Sequence, residues 1–166
     1  NVSLATVCTK AIKIAKKYDA SILNTHSDEG QTSAITKSAN ALEQNGVKKM
    51  LMLPGDIPLV NENEISKVIN VHKSAPTMTI VPARDRKGSN CVALSPPTAI
   101  PLSFGPNSYF PHIHAARNSE LKLKTISLPG IGLDIDTPSD LKELCKIPAM
   151  SNQPPGENCQ LWNTSI

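Results

Sequence analysis

An α/β fold with a mixed, mainly parallel sheet is the fold class that this sequence predicts. Up to residue 81, segments whose apolar residues recur at helical spacing alternate with short apolar runs, which is typical of βαβ units. The apolar run 50–53 ends at Pro54 and Gly55, as a buried parallel strand would. A length of 166 residues suits one domain.

Helices and strands alternate in the first part of the chain. Each predicted helix has apolar side chains every three or four residues, and each predicted strand is a short apolar run. Asn61 is a good N-cap, Glu64 can complete a capping box with it, and Gly46 suits a helix C-terminus. In chain order we predict a helix over 6–18, a strand over 21–23, a helix over 30–44, a strand over 50–53, a helix from 61 and a strand over 77–81.

The second part of the chain is less regular. Thr137 is a good N-cap, and Pro138 follows it at the first helical position. From Pro148 onward Asn, Gln, Pro and Gly dominate, which predicts a disordered tail over 148–166 behind a domain over 1–147. The remaining predicted elements are strands over 91–94, 123–128 and 131–135, and helices over 108–119 and 137–145.

The composition argues against several classes of function. The 17 basic and 14 acidic side chains form no basic block, and aromatic residues make up 3%, so nucleic acid is not an expected partner. The apolar runs are far shorter than the ~20 residues of a spanning helix, so a membrane is not expected either. The 4 cysteines lack metal-ligand spacing, and no signal peptide is visible. Reduced, buried thiols in a cytoplasmic protein are therefore expected.

Acidic residues follow two of the predicted strands. Asp56 comes just after the strand over 50–53, and Asp134 and Asp136 close the strand over 131–135. Ligands of open α/β sheets collect at the carboxyl ends of the strands, and Mg²⁺ prefers one or two carboxylates together with substrate phosphates. Helix caps and turn closure are the alternative roles of these side chains.

Two further segments could bind an anion. Residues 83–90 combine cationic side chains with Gly88-Ser89-Asn90, a suitable cradle for an oxyanion, although a solvated hairpin tip is the alternative. Ser108 stands where a helix is predicted to begin, and it could either cap the helix or help its free N–H groups to bind an anion. His112 lies one turn inside that helix, where a packed or surface histidine is the commoner role.

Motifs for covalent catalysis are missing from the sequence. It contains no Walker-type loop, no Gly-x-Ser-x-Gly elbow and no paired His/Cys nucleophile. This leaves metal-assisted phosphoryl or nucleotidyl transfer, which depends on positioning and on charge neutralisation.

Four motifs together resemble the phospho-acid guanylyltransferases of deazaflavin cofactor (coenzyme F420) biosynthesis. An Asp-x-Pro-Leu motif alone is shared with other nucleotidyltransferases, whereas the combination is specific. The resemblance keeps the same order from residue 1 to about residue 144. The motifs are Pro54-Gly55-Asp56-Ile57-Pro58-Leu59, Gly88-Ser89-Asn90, Phe104-Gly105-Pro106-Asn107-Ser108 with His112, and Asp134-Ile135-Asp136-Thr137-Pro138-Ser139-Asp140-Leu141.

This resemblance implies a three-layer, Rossmann-like nucleotidyltransferase fold of the GT-A type. The implied reaction joins GMP from GTP to a phosphorylated three-carbon acid and releases pyrophosphate. Asp56 and Asp136, with Asp134, would be the catalytic carboxylates that hold Mg²⁺. The implied binding residues are Ser89, Asn90, Gly105 and Ser108 for the acceptor acid and Gly30, Gln31 and Thr32 for the guanine nucleotide.

Departures from the family pattern leave alternatives open. The family opens with a strand and a loop containing lysine or arginine that grips the triphosphate, and the resemblance begins after that region. We therefore expect the 166-residue chain to be inactive or very weak. The alternatives are another nucleotidyltransferase, of the molybdopterin or sugar type, or an inactive truncated domain that retains only the fold. The sequence does not choose among 3-phosphoglycerate, phosphoenolpyruvate and 2-phospholactate as the acceptor. Residues 80–85 are closer to the bacterial branch of the family, which favours the first two acids. A homodimer is left open as the oligomeric state.

Overall fold

The computed structural model describes residues 1–23 and 29–146. Helices and strands alternate along most of this length, as the apolar spacing predicts. The elements are β1 (Ser3–Ala5), α1 (Thr9–Lys17), β2 (Ser21–Leu23), α2 (Gly30–Gln44), β3 (Met50–Met52), α3 (Glu62–Val71), β4 (Thr77–Pro82), β5 (Ser89–Ser95), α4 (Tyr109–Asn118), β6 (Lys122–Thr125) and α5 (Pro138–Leu144). The predicted tail over 148–166 lies outside the described residues.

The larger sheet has the strand order β3-β5-β4-β6 among the described residues. Strand β5 runs antiparallel to β3 and β4, whereas β6 runs parallel to β4, so β3, β4 and β6 share one direction. The reversal of β5 follows from a tight hairpin, in which the Ala83 N–H donates to the Gly88 carbonyl at 2.9 Å. Strands β1 and β2 form a separate parallel pair. The predicted mixed, mainly parallel sheet is confirmed.

Apolar side chains cover both faces of this sheet. Because successive side chains of a strand point to opposite faces, Met78 and Ile80 of β4 join one core and Val81 joins the other. The first core includes Ala39 of α2 and Ala116 of α4, and the second includes Val68 of α3. Helices therefore pack on both sides of the sheet, which gives the three layers of the predicted fold.

Two element predictions need correction. Strand β1 was not expected, and the helix predicted from residue 6 begins at Thr9. Residues 131–135 form turns and irregular backbone instead of a strand. The reason is that the Gly132 N–H folds back to the Leu128 carbonyl at 2.7 Å. Ile131 is nevertheless fully buried, so its apolar character reflects the core and not strand pairing.

The helix caps and cysteines agree with the predictions in part. Thr137 forms the capping box of α5 and Asn61 caps α3, but Glu64 does not complete the second box and contacts a distant loop.

Cys91 is a buried free thiol, whereas Cys8 is exposed and Cys145 is disulfide-bonded, so reduced and buried thiols are not the general state. Within the described ranges, the helices are too short or too polar to cross a membrane.

Candidate active site

A cavity of about 540 Å³ opens at the carboxyl ends of β3 and β4. This is the edge at which open α/β sheets bind ligands. Gly30 and Thr32 fall outside the set of described residues that line it. The predicted site residues that do line it are Gln31, Asp56, Ser89, Asn90, Gly105, Ser108, Asp134 and Asp136. The fold therefore brings together segments from five separate parts of the chain.

Carboxylates gather on one wall of the cavity. The Ile135 N–H donates to the Asp56 carbonyl at 3.1 Å, so the segment that follows β3 is tied to the segment that carries Asp134 and Asp136. Desolvation and the nearby carboxylates of Asp134 and Asp56 raise the pKa of Asp136. Asp140 and Asp85 add to this effect more weakly. Negative charge is thus concentrated where the sequence predicts it.

The chemistry of these donors fits Mg²⁺. Asp56, Asp134 and Asp136 offer hard oxygen ligands beside a cavity large enough for a substrate, and Mg²⁺ commonly takes one or two carboxylates and completes its shell with phosphates and water. Within residues 1–23 and 29–146, no three His, Cys, Asp or Glu side chains are already arranged around a common metal position. The assignment of these aspartates to a metal stays a prediction.

The loop of residues 129–136, called the acidic loop below, is held by contacts that the sequence did not reveal. Glu64 of α3, only 6% exposed, accepts hydrogen bonds from the Gly130 N–H at 3.0 Å and the Ile131 N–H at 2.7 Å. The Asn90 amide donates to the Ile131 carbonyl at 3.0 Å. Asn90, predicted to bind the acceptor, therefore also supports the acidic loop. No local signal could have shown the role of Glu64, because its partners are 66 and 67 residues away.

Ser89, another residue that lines the cavity, lies at the start of β5. Its hydroxyl oxygen is 3.0 Å from Nδ1 of His112, and Nε2 of the same ring lies 3.1 Å from the Ser103 nitrogen. Burial lowers the pKa of His112 to about 4, so the ring is neutral at pH 7. The commoner role of a packed histidine thus holds for His112, but its partner belongs to the candidate site.

A glycine turn leads into α4 beside Ser89. The Ser108 N–H donates to the Gly105 carbonyl at 3.1 Å, and Gly105 has a φ of +140°, which residues with side chains rarely adopt. Ser108 is buried against the cavity, and its side chain makes no capping hydrogen bond within the described chain. The capping role considered for its hydroxyl group is therefore not seen among the described residues, and its role in binding stays a prediction.

The start of α2 is tied to this turn. The Phe104 N–H donates to the Thr32 hydroxyl at 2.9 Å. Thr32, predicted to bind the nucleotide, thus uses its hydroxyl oxygen to hold two segments together, whereas the neighbouring Gln31 lines the cavity. Gly30 has a φ of +82° at the first position of the helix.

The segment 83–90 is both a hairpin tip and a wall of the cavity. Arg84 and Lys87 supply positive charge there. Arg84 forms ion pairs with Asp140, at 3.6 Å, and with Glu143 of α5. The two alternatives considered for this segment are therefore compatible, because the tip of the β4–β5 hairpin faces the cavity.

Comparison with known protein families identifies the family of this chain. The family described as "Guanylyl transferase CofC like" matches residues 5–147. The chain belongs to this family. A phosphoenolpyruvate guanylyltransferase from Rubrobacter xylanophilus is 34% identical over 122 residues, which cover 74% of this chain and 56% of that protein. A 3-phospho-D-glycerate guanylyltransferase from Colwellia psychrerythraea is 30% identical over 147 residues, covering 89% and 69%. The chain thus spans little more than half the length of the Rubrobacter relative.

Solved structures support the fold. A CMP:2-keto-3-deoxy-manno-octonic acid synthetase complexed with CTP matches with a TM-score of 0.60 and 11% identity, over 87% of this chain and 78% of that one. A cytidylyltransferase from Leptospira borgpetersenii matches with a TM-score of 0.54 and 15% identity, over 81% and 61%. These neighbours confirm the nucleotidyltransferase-like architecture that the motifs predict for this guanylyl transferase family member.

Proposed function

We propose that the site of this chain serves the transfer of GMP from GTP to a phosphorylated three-carbon acid, with release of pyrophosphate, as a step of coenzyme F420 biosynthesis. The observation that carries the proposal is that the acidic loop lines the same cavity as Ser89 and Ser108. Relatives named for phosphoenolpyruvate and for 3-phospho-D-glycerate support this choice of acceptor. Because GTP and such acids are cytoplasmic metabolites, the proposed reaction belongs to the cytoplasm.

In the proposed reaction, an oxygen of the acceptor's phosphate attacks the α-phosphorus of GTP. A new P–O–P bond forms, the bond from the α-phosphorus to the β-phosphate oxygen breaks, and pyrophosphate leaves with the electron pair. Such a transfer depends on orientation and on electrostatic stabilisation rather than on a covalent nucleophile. A cavity of about 540 Å³ lies within the usual size range of small-molecule sites.

The acidic wall would hold the metal in this proposal. Asp56 and Asp136, with Asp134, would hold Mg²⁺, which when bound supplies positive charge to the phosphate groups. The accumulation of carboxylates around Asp136 supports this role, since several acidic side chains so close together are unfavourable without a cation. Lys87, which lines the cavity, adds positive charge for the anionic substrates.

The serines that line the cavity would hold the acceptor acid. Ser89 and Ser108 can donate hydroxyl hydrogens to its phosphate or carboxylate, and Gly105 lets the backbone approach the ligand closely. Asn90, which also lines the cavity, would take part in the same binding, although its amide also holds the acidic loop. On the nucleotide side, Gln31 would contact GTP, while Gly30 and Thr32 fix the start of α2 beside it.

Pyrophosphate release from GTP, measured with each of the three acids, tests the proposal. Turnover that requires both GTP and a phospho-acid supports it, and turnover with CTP and a sugar phosphate or with a molybdopterin substrate contradicts it. Thermal stabilisation by GTP and acid without any turnover supports the alternative of a domain that retains only its fold and its ligands.

The proposed role of Ser108 in binding the acceptor has its own test. Ser108→Ala should raise the KM of the acid about tenfold while the KM of GTP stays within about twofold, because one hydrogen bond to a charged group is lost. Ser119→Ala, at the exposed opposite end of α4, is the matched control. An equal rise in both KM values for the Ser108 variant would assign that serine a structural role.

A further inference from the structure

The contact between Ser89 and His112 joins a predicted acceptor-binding residue to a fully buried ring. His112 has an exposed fraction of 0% and packs edge-on against Phe104, with ring centroids 4.9 Å apart. Ser89 lines the cavity at the same time. The histidine therefore lies behind the serine, on the side away from the ligand space.

The hydrogen bonds of the ring fix its tautomer. The Ser103 backbone N–H donates to Nε2 of His112, with a nitrogen–nitrogen distance of 3.1 Å, so Nε2 must offer a lone pair. A neutral imidazole carries one N–H, which then lies on Nδ1. Because Nδ1 is 3.0 Å from the Ser89 hydroxyl oxygen, the ring donates and the serine accepts. A backbone amide cannot reverse its role, so this order of donors is fixed by the fold.

The fixed order decides what Ser89 presents to the cavity. Its oxygen uses one lone pair on the ring, and its own hydroxyl hydrogen is left to point elsewhere. In the opposite tautomer the hydroxyl would donate to the ring and would turn lone pairs toward the ligand, which would repel an anion. The lowered pKa of His112 agrees with a neutral ring that keeps a single N–H.

We propose that His112 is a positioning residue that fixes the Ser89 hydroxyl group as a hydrogen-bond donor to an anionic group of the acceptor acid. This inference rests on the proposed function for the identity of the ligand. Its core, the direction of the Ser89–His112 hydrogen bond, does not depend on activity. The device would favour an oxyanion at Ser89 without a further cationic side chain besides Arg84 and Lys87, which line the same cavity.

A matched pair of substitutions separates the two hydrogen bonds of the ring. In His112→Gln the longer amide can reach the position of Nε2 and accept from the Ser103 N–H, but it leaves Ser89 without a donor. In His112→Asn the shorter amide can occupy the position of Nδ1 and donate to Ser89, but it leaves the Ser103 N–H unpaired. Each variant therefore removes one of the two hydrogen bonds of the ring and keeps the other: His112→Gln loses the one to Ser89, and His112→Asn loses the one to Ser103.

We expect His112→Gln to raise the KM of phosphoenolpyruvate or 3-phospho-D-glycerate about tenfold with little change for GTP, and His112→Asn to raise it less than about threefold. In a Ser89→Ala background, His112→Gln should add less than about twofold, since its target is already gone. Equal effects of the two substitutions, or a full effect of His112→Gln without the Ser89 hydroxyl, would overturn the inference. Thermal unfolding of each variant shows whether it is folded.

Nitrogen-15 NMR of the histidine rings gives a second answer in the unliganded protein. We expect the His112 ring to carry its hydrogen on Nδ1, and a spectrum with the hydrogen on Nε2 would refute the inference even in an active enzyme. Conversely, an Nδ1–H ring in a protein that transfers no guanylyl group would leave the tautomer intact and contradict the proposed function alone. The two failures are therefore distinguishable.

Discussion

The substitution Glu64→Gln tests how the acidic loop is held. Glu64 is buried on α3 and accepts the Gly130 and Ile131 N–H groups with its two carboxylate oxygens, at 3.0 and 2.7 Å. Glutamine has the same shape but offers one acceptor oxygen and one donor group. One backbone N–H would therefore face another N–H group in a buried place, and the remaining hydrogen bond would lose its charge.

The cost of this change follows from the two contacts. Losing one charge-assisted hydrogen bond and leaving a buried N–H unpaired costs about 3 kcal/mol in the free energy of unfolding. For a chain of this length, that corresponds to a fall in Tm of about 6–12 °C. We also expect kcat to fall, because Asp134 and Asp136 follow directly on the anchored segment.

Urea and thermal unfolding measure the effect, with Glu62→Gln as the control. Glu62 lies in the same first turn of α3 but is exposed, so its replacement removes the same charge near the helix N-terminus and should cost less than about 1 kcal/mol. If Glu64→Gln proved no more costly than Glu62→Gln, Glu64 would not anchor the acidic loop.

Three further changes have expected outcomes. Gly130→Ala should lower the urea midpoint of unfolding, because a Cβ there would lie 2.5 Å from the Leu59 carbonyl oxygen. Gly55→Ala is the control and should be tolerated, because its Cβ would meet nothing within 4 Å in the described chain. Similar urea midpoints for the two variants would contradict this. The free energy of unfolding should fall by about 3 kcal/mol as the pH drops from 6.5 toward 4, because the unfolded chain binds a proton that the buried, neutral His112 does not. His112→Gln should remove this part of the pH dependence. The same pH dependence in the variant as in the parent protein would refute the assignment. Asp56→Asn or Asp136→Asn should abolish guanylyl transfer in an active protein without lowering Tm, and unchanged magnesium dependence in both would discredit the metal site.

Local patterns predicted many of the residues that line the cavity, since their motifs follow strand ends or precede helices. Asp56 and Ser89 could be singled out because each follows a glycine that marks a turn, and Ser108 because it stands where a helix is predicted to begin. Their meeting at one cavity could be expected only from the fold class, whose strand ends converge on one edge. The distances between them could not be predicted, because spacing along the chain does not set them.

The sequence misled where one residue type serves two purposes. The apolar run around Ile131 predicted a strand, yet it is a buried loop, because burial and strand pairing favour the same side chains. Glu64 fits a capping box three residues after Asn61, yet its carboxylate is used by a loop far along the chain. In both cases tertiary contacts decided the outcome.

By itself, the sequence determined the alternation of helices and strands, the acidic and serine motifs and the guanylyltransferase resemblance, because these depend on periodicity and on short-range order. Only the tertiary structure decided which nitrogen of His112 faces Ser89 and which carboxylate holds the acidic loop. Hydrogen bonds of this kind join residues that are distant along the chain, and their direction depends on a third group placed by the fold. For that reason a histidine that the sequence assigned to ordinary packing is the hydrogen-bond partner of a serine predicted to bind the acceptor.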